Sequence, residues 1–321
     1  MSEATGPAGG RAHDDERTAP STGSGGPAHL QRRPLGSGDA WVDGPDGRRF
    51  WGTYGAAGLL VVSEDSGILL QHRAEWSHFG GTWGLPGGAR HRDESARDGA
   101  VREAAEEAGV PPESVQPLFL SRLDLGWWSY STVVAATSSP FVPVIGDAES
   151  IEVRWVPLDD VEILPLHPSF AERWPQLRPD LFRRPVVIVD AANVVGSRPD
   201  GWWRDRPGAA ARLVEHLGAL GDTGWPAAML GLPHDAWWPN VVVVLEGEAK
   251  RMPQPEHLHG LTIVRADADG DSAIIERTRS LPDPAQAIVV TADRGLAHRV
   301  AELGAAVASP AALWRGAHAL G

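Results

Sequence analysis

The stretch Gly88 to Val110 reads GARHRDESARDGAVREAAEEAGV. Within it Gly88, Glu94, the pair Arg102-Glu103, the pair Glu106-Glu107 and Gly109 stand at fixed intervals. From Glu94 to Ala108 the chain is built of Ala, Glu and Arg, which favour helix. Asp93 is expected to cap its start, and Gly109 to end it in the left-handed conformation. Positions three and four apart share a helix face, so Glu103, Glu106 and Glu107 are predicted to point the same way. Three carboxylates so placed repel one another unless cations lie between them. Hard oxygen donors suit Mg²⁺, which also takes substrate phosphates. Arg102 is placed to orient Glu103 by a bidentate contact, with Glu94 buttressing the group from two turns earlier. The preceding Trp83-Gly84-Leu85-Pro86-Gly87-Gly88 reads as a short strand running into a glycine loop, through which Gly87 and Gly88 bring backbone close to metal and phosphate. A solvated surface helix is the bland alternative, but it has no need of glycines and Arg-Glu at this register.

The layout resembles the Nudix box, with every fixed position filled and only Ala104 small for its aliphatic slot. The resemblance covers about residues 40–165 and implies an α/β/α sandwich with a mixed sheet. It implies hydrolysis of a pyrophosphate bond in a nucleoside diphosphate derivative, dependent on Mg²⁺ or Mn²⁺. Glu103, Glu106 and Glu107 would be the metal ligands; Arg102, Glu94 and an acid outside the box would complete the catalytic group. Glu149 and Glu152 precede Trp155, and Glu149 is chosen as that acid. Trp76, His78, Phe79, Trp83, Trp127 and Trp128 flank the proposed site and are placed either to sandwich a base or to pack in the core. His72 and Arg73, near a strand end, are within reach of a phosphate. The Trp-Gly-Leu-Pro-Gly-Gly run resembles the nucleotide-sanitising branch, but it is shared too widely to fix the substrate.

The chain has 321 residues, a length that suggests two domains, and 42% hydrophobic residues, enough for two ordinary cores. It has no cysteine, which excludes disulfides and thiolate metal sites and agrees with a reducing cytoplasm. No apolar run is long enough to span a bilayer, and the N-terminus lacks the apolar centre of a signal peptide, so no membrane partner is expected. The net charge is −13, and most of the acid excess lies before residue 184. That argues against tight nonspecific nucleic-acid binding by the N-terminal half. The expected order is a disordered tail over 1–36, a Nudix domain over 37–165, a helical linker over 166–184 and a second α/β domain over 185–321. Oligomeric state is left open.

The C-terminal half has a different pattern. Apolar runs at Val186–Val189, Val241–Leu245 and Ile288–Val290 are each followed by an acid: Asp190, Glu246 and, after Thr291-Ala292, Asp293. Such runs alternating with helical stretches predict a parallel sheet covered on both faces, with its ligand site at the carboxyl ends of the strands. With Asn193 and Asp271, these acids resemble the PIN-like nucleases, particularly the NYN branch. That resemblance implies a Mg²⁺ or Mn²⁺ site formed by Asp190, Asn193, Glu246, Asp271 and Asp293, acting on a phosphodiester, typically in RNA. Glu248 is the alternative to Glu246, and a helix cap is the alternative role for Asp271. Arg198, Arg204 and Arg206 interleave with Trp202 and Trp203, a pattern suited to single-stranded RNA or to a Trp pair packed under a loop. Trp237-Trp238-Pro239 is expected to pack against this sheet. The principal reading is a Nudix pyrophosphohydrolase. The rival is an RNA-processing or decay ribonuclease whose Nudix half senses a nucleotide or trims 5′ ends.

Overall fold

The computed structural model describes residues 36–45, 47–255 and 260–315. The tail expected to be disordered therefore lies outside the described residues, apart from Gly36.

A hairpin of β1 (Trp41–Asp43) and β2 (Arg49–Trp51) precedes the main N-terminal sheet. β3 (Ala56–Ser63) turns through Gly67 into β4 (Gly67–Arg73), followed by the short strands β5 (Trp83–Gly84) and β6 (Gly87–Ala89). Helix α1 (Ala96–Ala108), β7 (Val115–Asp124), β8 (Ser129–Thr137), β9 (Ser150–Val156) and α2 (Pro168–Leu177) complete this half. The sheet is mixed: β3 runs parallel to β8 and antiparallel to β4 and β6, and β9 pairs with β4.

β3 is buried at every residue because it serves two cores. Strand side chains alternate between faces. Ala57, Leu59 and Val61 join Ala96, Ala100, Ala104 and Ala108 of α1, whereas Leu60 and Val62 join Phe170, Trp174 and Leu177 of α2. This accounts for Ala104: it is one rung of an alanine ladder at four-residue spacing, all of it turned to the sheet.

Two local expectations are corrected. Ser95, not Asp93, caps α1, its side chain accepting from the Asp98 N–H, while Asp93 sits at φ 62° in the turn before it. Gly87 and Gly88 lie in β6, not in a loop, and pair with Gly58 and Ala57 of β3. The αL cap at Gly109 is as expected, at φ 65°.

The C-terminal half contains β10 (Val186–Asp190), α3 (Ala191–Gly196), α4 (Arg206–Thr223), β11 (Trp225–Pro226), α5 (Ala227–Leu230), β12 (Ala236–Trp237) and β13 (Asn240–Leu245). Beyond these lie β14 (Leu261–Arg265), α6 (Gly270–Arg279), β15 (Ala287–Val290), α7 (Arg294–Glu302), β16 (Ala306–Ala308) and α8 (Pro310–Arg315). Five strands form an all-parallel sheet in the order β14-β13-β10-β15-β16. Its alternate residues, Val187 and Val243 against Ile188 and Val242, enter cores on opposite faces, as continuous apolar runs require.

The halves are not separate. β11 and β12 leave the C-terminal half and extend the N-terminal sheet along the edge of β7, pairing Ala236 with Leu120 and Trp237 with Phe119. Trp237 thus lies in the other sheet from the one expected. The core that contains Leu60, Phe119 and Trp174 continues through Leu177 and Leu181 to Val187, Val189 and Leu213. The expected linker is therefore part of a shared core. Apolar side chains on α2 and on β10 find each other because each covers a face that would otherwise be wet. Among the described residues, no helix is long and apolar enough to cross a membrane.

Candidate active site

Helix α1 lays Glu103 and Glu107 against β6 and leaves Glu106 half-buried beside them. Glycine is required at Gly87 of the facing strand, where a Cβ would stand 2.5 Å from the Ala57 carbonyl oxygen and from the Gly58 Cα; on Gly88 a Cβ would stand 2.7 Å from a Glu103 carboxylate oxygen and displace it. The Gly87 N–H donates to Glu107 Oε2 at 2.9 Å. Arg102 gathers the remaining acids. Its Nε and Nη2 donate to the two Glu94 oxygens at 2.8 and 3.0 Å, and Nη1 donates to Glu103 Oε1 at 2.8 Å and Glu106 Oε2 at 3.3 Å. Nη2 also reaches the Ala89 carbonyl at 3.0 Å, tying the helix to the strand. The bidentate contact thus goes to Glu94 rather than to Glu103, because Glu94 precedes the helix and folds back, also accepting from the His91 N–H at 2.9 Å.

The charges are not balanced evenly. Burial alone would raise the Glu94 carboxyl, but the Arg102 and His91 hydrogen bonds outweigh it and hold Glu94 below its ordinary range. Arg102, held by Glu94 and Glu103 against its own burial, is raised. Glu107 goes the other way. Burial, then the charges of Glu103 and Asp147, push it well above the usual carboxylate range, and the Gly87 N–H and Arg73 offset this only in part. Tyr130, buried and facing the same negative charge, is pushed up to about 12 and stays protonated.

Asp147 is the residue the sequence reading missed. The loop carrying it is tied to the end of α1 by Val144 N–H to Ala108 O at 3.1 Å and Gly146 N–H to Glu107 O at 2.9 Å. Asp147 is buried, and its Oδ1 accepts from the Glu149 N–H at 2.9 Å, whereas Glu149 itself is exposed. Nothing in the spacing of this loop singles out Asp147 ahead of Glu149 and Glu152, because it has no periodicity to set which side chain turns inward.

Among the described residues no three acidic, His or Cys side chains already converge as a metal cage. Arg102, bridging Glu103 and Glu106, partly explains this. The donor chemistry nevertheless suits a hard divalent cation: oxygens only, partly buried, with mutual repulsion that a cation would relieve.

The second group of acids is spread over three strand ends. Asp190 caps α3 through the Asn193 N–H at 3.1 Å and accepts from the Thr291 hydroxyl at 2.9 Å. Asn193 Oδ1 accepts from the Ala292 N–H at 3.2 Å, so Asn193 and Asp190 both face the loop after β15. Burial raises Asp190, as does the nearby Asp271 charge, against its hydrogen bonds. Asp293 caps α7, accepting from the Leu296 N–H at 2.8 Å. Glu246 accepts from the Gly270 N–H at 2.7 Å. Asp271 is ion-paired to Arg299 and does not cap α6; Asp269 does. Of the Trp and Arg set, Arg206 lies over Trp202 at 5.6 Å and Arg198 over Trp314 at 4.5 Å, while Trp203 is exposed.

An α/β sandwich whose box helix sets glutamates against a glycine strand defines a family of its own. Residues 53–177 match the family model of the NUDIX domain, and the chain belongs to that family. It is 46% identical over 162 residues to a putative 8-oxo-dGTP diphosphatase 3 of Mycobacterium tuberculosis, covering 47% of this chain and 74% of that one. A nucleoside triphosphate pyrophosphatase/Nudix hydrolase fusion protein of Bifidobacterium longum is 44% identical over 147 residues, covering 43% of this chain and 30% of that protein. Among solved structures, the Nudix hydrolase RenU of M. smegmatis is 46% identical, covers 44% of this chain and 94% of that one, and gives a TM-score of 0.41.

Proposed function

We propose that the protein is a divalent-metal-dependent pyrophosphohydrolase of the nucleotide-sanitising type, acting on nucleoside triphosphates of the class that includes 8-oxo-dGTP. The observation that carries this reading is the α1 surface: Glu103, Glu106 and Glu107 against Gly87 and Gly88, with one carboxylate raised by burial and by its neighbours' charge. The similarity to the mycobacterial protein described as a putative 8-oxo-dGTP diphosphatase supports the choice of substrate.

Glu103, Glu106 and Glu107 would hold Mg²⁺ or Mn²⁺, which when bound supplies charge to offset that of the phosphate oxygens. The protein does the rest. Arg102 fixes Glu103 and Glu94 in place. One of these carboxylates would take the proton from the attacking water. Without a cation, Glu107 is held well above the usual carboxylate range by burial and by the charges of Glu103 and Asp147, a repulsion that a bound cation would relieve. Glu149, exposed two residues on, is assigned no role on this geometry. The test is turnover on a panel of nucleoside triphosphates, nucleotide sugars and dinucleoside polyphosphates with Mg²⁺, following the nucleotide products by chromatography. Preference for 8-oxo-dGTP over dGTP supports the reading, and activity confined to nucleotide sugars rejects it.

A second activity is supported by the all-parallel sheet, with Asp190, Asn193, Asp271 and Asp293 near one end of it. On this reading residues 185–321 form a PIN-like domain of the NYN type, apart from the β11–β12 excursion, and cleave single-stranded RNA with Mg²⁺ or Mn²⁺. Release of fragments from a labelled RNA by the full chain, lost in Asp190→Asn, tests it.

A further inference from the structure

The helices of the C-terminal half enclose a cavity of about 250 Å³. None of its lining residues belongs to the α1 carboxylate group or to the acids at the strand ends. Arg198 and Asp200 come from the loop after α3, Arg212 and His216 from α4, and Trp314 from α8, with Val195 of α3 adding an apolar wall. The shared core brings these segments together. Val194, Leu213, Leu217 and Leu313 are all buried in it. Each stands next in sequence to a lining residue: Val195, Arg212, His216 and Trp314. Successive helix positions are about 100° apart, so a buried side chain leaves its neighbour at the edge of the buried face.

Trp314 organises the lining. Its ring stacks on His216 at 4.9 Å, and the Arg198 guanidinium lies over it at 4.5 Å. Trp314 Nε1 donates to Ser197 Oγ at 3.3 Å, and the His216 ring N–H donates to Leu313 O at 3.0 Å. Both rings are thus fixed before anything binds, which lowers the ordering cost of binding. The contact with Trp314 holds the Arg198 guanidinium at the cavity without using up its N–H groups, whose fork matches a phosphate. Among the described residues no carboxylate is ion-paired with Arg198 or with Arg212. Asp200 lines the same cavity, but its Oδ1 accepts from the Trp202 N–H at 3.2 Å. The lining therefore carries two positive charges against one negative. Two guanidiniums brought to one cavity repel each other, and an anion between them turns that cost into affinity.

We propose that this cavity binds a sugar phosphate, with Arg198 and Arg212 taking the phosphate and Asp200 accepting from a sugar hydroxyl. Charge-assisted contacts from two guanidiniums select the phosphate. A bare phosphate would meet the Asp200 carboxylate with like charge, whereas a hydroxyl on the attached sugar gives that carboxylate a donor. The volume agrees: it falls below the ~300–1,000 Å³ of pockets for drug-sized ligands, which leaves room for a phosphate and its sugar but not for a dinucleotide. The Trp314 ring is already engaged by His216 and Arg198, so recognition falls on sugar and phosphate rather than on a stacked base. Two sources carry this chemistry, a free pentose phosphate and the 5′-phosphorylated end of an RNA. The proposal uses none of Asp190, Asn193, Asp271 and Asp293 and stands apart from both activities above.

Calorimetry on the full chain tests it, with EDTA present so that the α1 carboxylates hold no metal. The probes are ribose 5-phosphate, inorganic phosphate, and one short RNA carrying either a 5′-phosphate or a 5′-hydroxyl. The wild type should bind ribose 5-phosphate or the 5′-phosphorylated RNA at least about tenfold more tightly than inorganic phosphate, the scale of one added hydrogen bond to a charged group. Binding of ribose 5-phosphate assigns the site to a free sugar phosphate. Binding of the 5′-phosphorylated RNA alone, and not of its 5′-hydroxyl form, assigns it to an RNA end. Arg212→Ala should weaken whichever probe binds by about tenfold or more, for the same reason. Asp200→Ala should bring that probe and inorganic phosphate to nearly equal affinity. Both residues are exposed, so the variants should unfold at the wild-type temperature. The proposal is overturned if the wild type binds neither probe, if Arg212→Ala leaves the affinity unchanged, or if Asp200→Ala keeps the preference over inorganic phosphate.

Discussion

The molecule carries two groups of carboxylates, and they differ in how much of their charge is already spent. In the C-terminal half each acid has an ordinary structural partner: Asp190 and Asp293 cap helices, Glu246 takes a backbone N–H, and Asp271 pairs with Arg299. In the N-terminal half a single arginine serves Glu94, Glu103 and Glu106, and Glu107 is left with one backbone N–H amid the charges of Glu103 and Asp147. The number of acids is similar in the two places. What separates them is how far the charge is offset: hydrogen bonds from Asn193 and Thr291 temper the rise in Asp190, whereas Glu107 has the Gly87 N–H against the charges of Glu103 and Asp147, a repulsion that a bound cation can turn into affinity.

The sharpest way to break that contrast is to neutralise single acids in each group. Glu106→Gln and Glu107→Gln should lower kcat on nucleoside triphosphates by roughly a thousandfold, the scale of losing an acid–base or charge-stabilising group, with the fold retained by circular dichroism. Asp271→Asn should leave that same rate within about twofold. A comparable fall in both would mean that the two groups are not functionally distinct.

The next effect concerns the seam between the halves. Trp237 belongs to the C-terminal half in sequence but is buried in β12, between β11 and β7 of the N-terminal sheet, where its Nε1 donates to Pro233 O at 2.6 Å. Trp237→Ala should destabilise the chain by about 3–5 kcal/mol, as large-to-small core changes do. Because the core is shared, a single unfolding transition should move as a whole when followed by both near- and far-ultraviolet dichroism. Two transitions, only one of them shifted, would restore the picture of independent domains. Cutting after Arg184 would likewise bare the β7 edge, which is a template for aggregation.

A smaller effect tests the residual charge directly. The folded state raises the affinity of Glu107 for its proton, so its contribution to stability is present below the unfolded carboxylate range and is lost as pH rises through the raised folded value. In metal-free protein, Glu107→Gln should therefore be more stable than the wild type by about 1 kcal/mol at pH 8, with the difference vanishing near pH 4. Denaturant melts at the two pH values measure it. Equal stability at both would mean that the Glu107 charge is already compensated. Smallest of all, Arg299→Ala breaks a half-exposed ion pair with Asp271 and should cost under about 1 kcal/mol.

Much of this was legible from residues alone where the signal was local. The α1 helix, its glycine stop and the shared side of its three glutamates follow from spacing on a 3.6-residue turn. The parallel sheet follows from apolar runs ending in acids. The β14 and β16 strands were not seen, because Leu261–Arg265 mixes Thr and Arg with apolar residues and Ala306–Ala308 is short and weakly apolar. Ser95 rather than Asp93 as the cap was also missed, since two capping residues stood two apart and only the fold-back of Glu94 decides between them.

Residue spacing alone was enough to set which acids lie on one helix and where that helix stops, because both depend on short-range geometry. The folded chain alone set which loop acid bears on Glu107, that Trp237 belongs to the neighbouring sheet, and that Gly88 of β6 stands against Glu103 of α1. Each of those pairs is brought together by burial of apolar surface from distant segments, and no local spacing encodes which distant surfaces will meet.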